Sequence, residues 1–141
     1  MAIREITFRG KRIDNDEWVQ GYYFKRVRNY DGFKTVEHCY IMCETRDEAF
    51  IAYEVYPETV GQYTGLTDPN GKKIFEGDIV KSCCCLDDGK TMAVKFDTLR
   101  RGWFPFACGD GCGCCEVDTY SPEYTEVIGN IYDNKELLND Y

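Results

Sequence analysis

Turn-forming residues punctuate this chain at short intervals, and the segments between them are rich in aromatic and β-branched side chains. Asp68-Pro-Asn-Gly71 has the residues of a tight turn, because Pro presets φ while Asn and Gly tolerate positive φ. Glu76-Gly-Asp78 reads as a second turn, Asp87-Asp-Gly-Lys90 as a hairpin turn and Asn29-Tyr-Asp-Gly32 as a further one. Eleven Tyr and eight Phe favour strands, since bulky rings fit a pleated, half-buried surface. Short strands joined by turns, with helix only in short pieces, make a mostly β (α+β) fold with antiparallel strands.

Residues 3–8 and Trp18-Val-Gln-Gly-Tyr-Tyr-Phe-Lys25 are expected to pair as a hairpin across the polar, turn-rich Gly10–Glu17. Val36–Cys43 reads as a third strand, Thr45–Phe50 as a short helical turn and Ile51–Val55 as another strand. Further on, Ile79–Cys85 is expected to pair with a strand returning over Met92–Phe96. Trp103–Phe106 is a short aromatic segment and Glu126–Tyr132 the last strand. Asn134 is placed to cap a final short helix over Lys135–Asn139, its side chain accepting a bond from an unpaired backbone N–H. The expected division is a β subdomain over residues 1–57 and a second over 58–141, or one compact domain in their place.

Twenty-five acidic against seventeen basic residues give a formal charge of −8. A nucleic-acid binder gains affinity by placing Lys and Arg on phosphates, so general nucleic-acid binding is not expected. The basic residues fall in short clusters (Lys25, Arg26 and Arg28; Lys72 and Lys73; Arg100 and Arg101), and such a strip could hold one small anionic ligand. An acidic surface also suits a basic partner, although solubility alone accounts for it. The first ten residues contain charges and no signal-like apolar run, and no stretch approaches the ~20 apolar residues of a membrane span. A cytoplasmic protein is expected, with no membrane contact and its nine Cys held as reduced thiols or metal ligands.

Four segments carry a family resemblance. They are Arg4-Glu-Ile-Thr-Phe-Arg-Gly-Lys11 running into Glu17-Trp-Val-Gln-Gly21; Val55-Tyr-Pro-Glu-Thr-Val-Gly-Gln-Tyr-Thr-Gly-Leu-Thr-Asp68; Asn70-Gly-Lys-Lys-Ile-Phe-Glu-Gly-Asp-Ile-Val80; and Val127-Ile-Gly-Asn-Ile-Tyr-Asp-Asn134. In this order they resemble the YopX family of small phage and prophage proteins. The resemblance implies a phage-encoded protein of the host bacterial cytoplasm whose C-terminal part is a small β-barrel, and it implies no reaction, cofactor or catalytic residue. Two departures stand out: Lys135 replaces a Pro common after Asp-Asn, and the cysteine-rich stretches around Cys83 and Cys112 are outside the family pattern.

The central block reads mainly as architecture, with Thr59, Thr64, Thr67 and Asp68 suited to bonding local backbone groups. The competing reading is a polar binding site lined by Glu58, Gln62, Tyr63 and Thr64. Cys83, Cys85, Cys108 and Cys112 offer four soft ligands, but the single residue between Cys83 and Cys85 is tighter than usual zinc spacing. Small core thiols at Cys83 and Cys85 and incidental loop thiols are the favoured account, and no metal or other cofactor is assigned. His38, the sole histidine, adjoins Cys39, yet adjacent strand residues face opposite ways, so no catalytic residue is assigned either. The expected function is non-catalytic binding of a host or phage macromolecule, a protein partner included, that counteracts host defence. One alternative is a protein that binds or sequesters a nucleotide-type ligand, and another is a β-barrel module associated with nucleic-acid metabolism. Exposed strand edges point to a homo-oligomer, with the aromatic strand Trp18–Phe24 as a candidate surface.

Overall fold

The computed structural model describes residues 5–30, 32, 34–82, 89–99, 101–106, 122 and 125–138. The chain forms two compact units, Met1–Tyr63 and Thr64–Tyr141. Strand β5 (Gly61–Thr67) runs through the boundary between them. The described residues are mostly β, all strand pairings are antiparallel, and helix is confined to short 3-10 pieces at Pro57–Thr59 and Lys135–Leu137. No helix among them is long and apolar enough to cross a membrane.

The first unit is a sheet of β1 (Phe8–Lys11), β2 (Trp18–Tyr30), β3 (Lys34–Glu44) and β4 (Phe50–Val55), joined by the start of β5, in the order β4-β3-β2-β1-β5. Side chains alternate across it, as the two-residue period requires. One face buries Cys39, Ile41 and Val55 against Phe8, Val19, Tyr23, Cys43 and Val60. Ile41 and Val55 are wholly buried, a contribution of ~1.5–3 kcal/mol each. The other face carries Tyr22, Phe24, Tyr40 and Met42, set by the register Tyr22↔Met42 and Phe24↔Tyr40.

Several boundaries differ from those read in the sequence. The strand expected at residues 3–8 begins at Phe8 and continues through Gly10 and Lys11, which had read as turn. Gly10 suits a strand there because a Cβ would lie 2.9 Å from Val55 Cβ, so the bare backbone lets Val55 pack onto it. The expected helical turn at 45–50 is instead a hairpin connection. Thr45 N–H donates to Ala49 O at 2.6 Å, since β3 and β4 must reverse direction within that short span.

The second unit contains the rest of β5 with β6 (Lys73–Phe75), a three-stranded sheet ordered β11 (Thr125–Asn130), β7 (Asp78–Ser82), β8 (Thr91–Ala93), and a ribbon of β9 (Lys95–Asp97) with β10 (Gly102–Phe104). The expected 79–85 with 91–96 pairing is present as Ile79↔Ala93, Val80↔Met92 and Lys81↔Thr91. It stops at Ala93, because Lys95–Asp97 turns to pair with Gly102–Phe104. The ladder therefore does not run on around the core, and no closed barrel is present among the described residues. One apolar cluster unites the strands: Ile74, Val80, Met92, Val94, Phe106 and Val127 are buried together.

The Asp68–Gly71 turn forms as expected, with Gly71 N–H donating to Asp68 O at 2.9 Å. Asn134 does not cap the last helix with its side chain. Its Oδ1 accepts from Asn130 N–H at 3.3 Å instead, tying the turn back to the end of β11.

Candidate functional site

Three of the four residues singled out in the central block lie in succession on β5, and Glu58 is exposed on the 3-10 helix before it. Gln62 is half-buried, Tyr63 is buried, and the strand's alternation turns Tyr63 away from both neighbours. Thr64 is committed to the backbone: its Oγ1 donates to Ile74 O at 2.8 Å and accepts from Leu66 N–H at 3.1 Å. Thr59 does the same, accepting from Lys11 N–H at 2.9 Å and donating to Tyr56 O at 2.6 Å.

The cysteines at 83–85 and 108–115 lie outside the described residues. Among the described residues no group of three or more His, Cys, Asp or Glu side chains is placed to hold a metal ion. His38 and Cys39 do face opposite ways. His38 Nδ1 lies 3.0 Å from Glu54 Oε2 on the outer face, while Cys39 is in the core with its Sγ 3.5 Å from the Tyr23 hydroxyl.

That Tyr23 contact has a consequence in alkali. The hydrogen bond with Cys39, with burial added, pushes the Tyr23 pKa up to about 12 from the ordinary 10.0. The native state then keeps a phenolic proton that the unfolded chain loses first. The stabilisation is whole below pH 10.0 and is lost as pH climbs toward about 12. Ultraviolet titration should show one tyrosine ionising near that upper value, and Tyr23→Phe should remove the step. If the step persisted in that variant, another tyrosine would be its source.

The most distinctive surface is the outer face of β2, β3 and β4. Tyr22 and Phe50 are 62% and 54% exposed, with ring centroids 6.4 Å apart. Phe24 and Tyr40 stack beside them at 5.0 Å. β4 covers β3 only from Cys39 to Glu44, and β1 covers β2 only from Trp18 to Gly21. Beyond those points β2 and β3 pair with each other alone among the described residues, out to Tyr30↔Lys34. The result is a two-stranded arm. Lys25 to Asn29 are all exposed, and Lys25 pairs with Glu37 at 3.4 Å. Arg26, Arg28 and Lys34 have no ion pair among the described residues.

At the foot of the arm, where residues 5–7 leave the edge of β2, lies a groove of about 530 Å³. Ile6, Tyr22 and Met42 line it together with Glu5, Gln20 and Glu44. Its described lining has two carboxylates and no cationic side chain, and so favours a cationic group set against apolar surface. Neither arm nor groove was read from the sequence. Lys25, Arg26 and Arg28 made that stretch polar on both faces, which hides the period of a half-buried strand. The unbroken run from Trp18 to Tyr30, free of Pro, was the signal available.

The pattern of the family described as YopX protein matches residues 7–139. Among solved structures, protein EF1440 from Enterococcus faecalis is similar at 21% identity, over 96% of this chain and 99% of that one, with a TM-score of 0.49. No curated protein matches the chain. With the family pattern matched over nearly its whole length, this chain belongs to the YopX protein family.

Proposed function

We propose that this chain is a non-catalytic binding protein, an accessory protein of a phage or prophage that engages a host or phage macromolecule in the host bacterial cytoplasm. Blunting of host defence is the benefit such engagement would bring the phage. The observation that carries the reading is the outer face of β2–β4, where Tyr22 and Phe50 stand 62% and 54% exposed beside the stacked Phe24 and Tyr40. Clustered exposed rings mark interaction surfaces more than they mark ordinary solvated ones. A broad face also suits a macromolecule better than a small ligand. The nucleotide-type alternative stands second, because the groove beside Tyr22 bears Glu5 and Glu44, which repel phosphate. A small barrel for the second unit belongs to the same reading. Its support is that Ile74, Val80, Met92 and Val127, from four different strands, share one core.

The test is a photo-crosslinking residue placed at Phe50, with Leu99, 93% exposed in the other unit, as the control position. In lysate of an infected or lysogenic host, the Phe50 position should trap a discrete macromolecular species that the Leu99 position does not. Equal trapping at both positions, or trapping of nothing but this chain itself, would count against the reading.

A further inference from the structure

We propose that the β2–β3 arm of one copy docks in the groove of a second copy, so that the chain self-associates by reciprocal arm-and-groove contacts. The inference begins with the arm's own stability. A two-stranded hairpin is marginal in water unless something covers it. From Tyr22 to Tyr30 the edge of β2 away from β3 has no strand beside it among the described residues, and from Lys34 to His38 neither has the far edge of β3. Such edges present N–H and C=O groups ready for another strand.

Charge identifies the occupant. On the outer face the arm offers Arg26, Arg28 and Lys34, without ion pairs among the described residues. The groove at its foot offers Glu44 beside Tyr22, Met42 and Ile6, and it also carries Glu5, whose carboxylate accepts from the Thr7 hydroxyl at 3.2 Å. The basic outer face of the arm and the acidic, apolar groove are complementary in sign, yet they sit on one chain. Both share the same two strands: beside residues 5–7 the groove uses Gln20, Gly21, Tyr22, Met42 and Glu44, and the arm uses Lys25 to Tyr30 and Lys34 to His38. An arm cannot fold back onto its own foot without breaking the ladder that makes it. A second copy laid antiparallel along the β2 edge that no described strand pairs brings each arm toward the other's groove. The same two-fold arrangement serves both contacts, as an isologous dimer requires.

This inference rests on the reading of the outer face as a binding surface, but its test uses the purified chain alone, so either can fail without the other. By light scattering and sedimentation the native chain should be a dimer, weakening as salt rises. Arm reversal (Arg26→Glu with Arg28→Glu) and groove reversal (Glu5→Lys with Glu44→Lys) should each raise the dissociation constant at least ~10-fold. Mixing the two reversed variants should restore a heterodimer. Circular dichroism checks that each variant keeps its strands, and Arg26→Ala with Arg28→Ala replaces the arm reversal if that one unfolds. A native chain that stays monomeric at every concentration overturns the proposal. So does a dimer indifferent to both reversals, and so does a monomer that uses Arg26 and Arg28 to hold a single-stranded oligonucleotide.

Discussion

Replacing Asp68 with Ala should lower the stability of the second unit by about 3–5 kcal/mol. The carboxylate is buried, only 5% exposed, and both its oxygens are in use. Oδ1 accepts from Asn70 N–H and Lys72 N–H, each at 2.9 Å, and so builds the turn between β5 and β6. Oδ2 accepts from Val127 N–H at 3.1 Å, 59 residues further along the chain. Bonds to a charged acceptor are worth ~1.5–3 kcal/mol each, and the cost of burying the charge offsets part of their sum. Ala leaves all of these donors without the carboxylate, one of them beside the core residue Val127. Asp68→Asn should cost about half as much, because its carbonyl oxygen can serve the turn or Val127 but its amide N–H₂ cannot serve the other. Urea unfolding followed by Trp103, in a Trp18→Phe background so that only the second unit reports, measures both variants. A loss under ~1 kcal/mol for Ala would mean that desolvation had cancelled the three bonds.

Gly21→Ala should destabilise the first unit by about 3 kcal/mol or more, or move the β2–β3 register. A Cβ at this position would overlap Met42 O and sit 2.9 Å from Met42 C. These are backbone atoms of the neighbouring strand, so no side-chain rotation relieves the overlap. β2 is also held on its other side by β1 through Phe8↔Gly21, which removes room to retreat. The measurement is urea unfolding followed by Trp18 in a Trp103→Phe background. Amide hydrogen exchange across Tyr22 to Tyr30 would show whether the arm loosens with it. A variant as stable as the parent would mean that β2 and β3 can part locally at little cost.

What the sequence determined by itself is what neighbouring residues decide among themselves. The antiparallel β class followed from ring-rich runs between turn signals. The Asp68–Gly71 turn and the pairing of β7 with β8 followed from Pro, Asn and Gly placed where positive φ or a reversal is needed. The opposite facing of His38 and Cys39 followed from strand geometry alone. Tertiary structure decided the rest, because those features join residues far apart in the chain. Asp68 could be read as a turn residue, but its bond to Val127 needs β11 brought alongside. Gly21 carries no local mark, and its necessity comes from how close Met42 passes. Asn134 looked like a helix cap, yet its side chain accepts from Asn130 N–H and makes no capping bond to the helix. The arm and groove depend on where β1 and β4 stop covering β2 and β3, a matter of strand lengths settled by packing over Ile41 and Val55. Local sequence sets which way a side chain can face, and only the assembled sheet sets what it meets there.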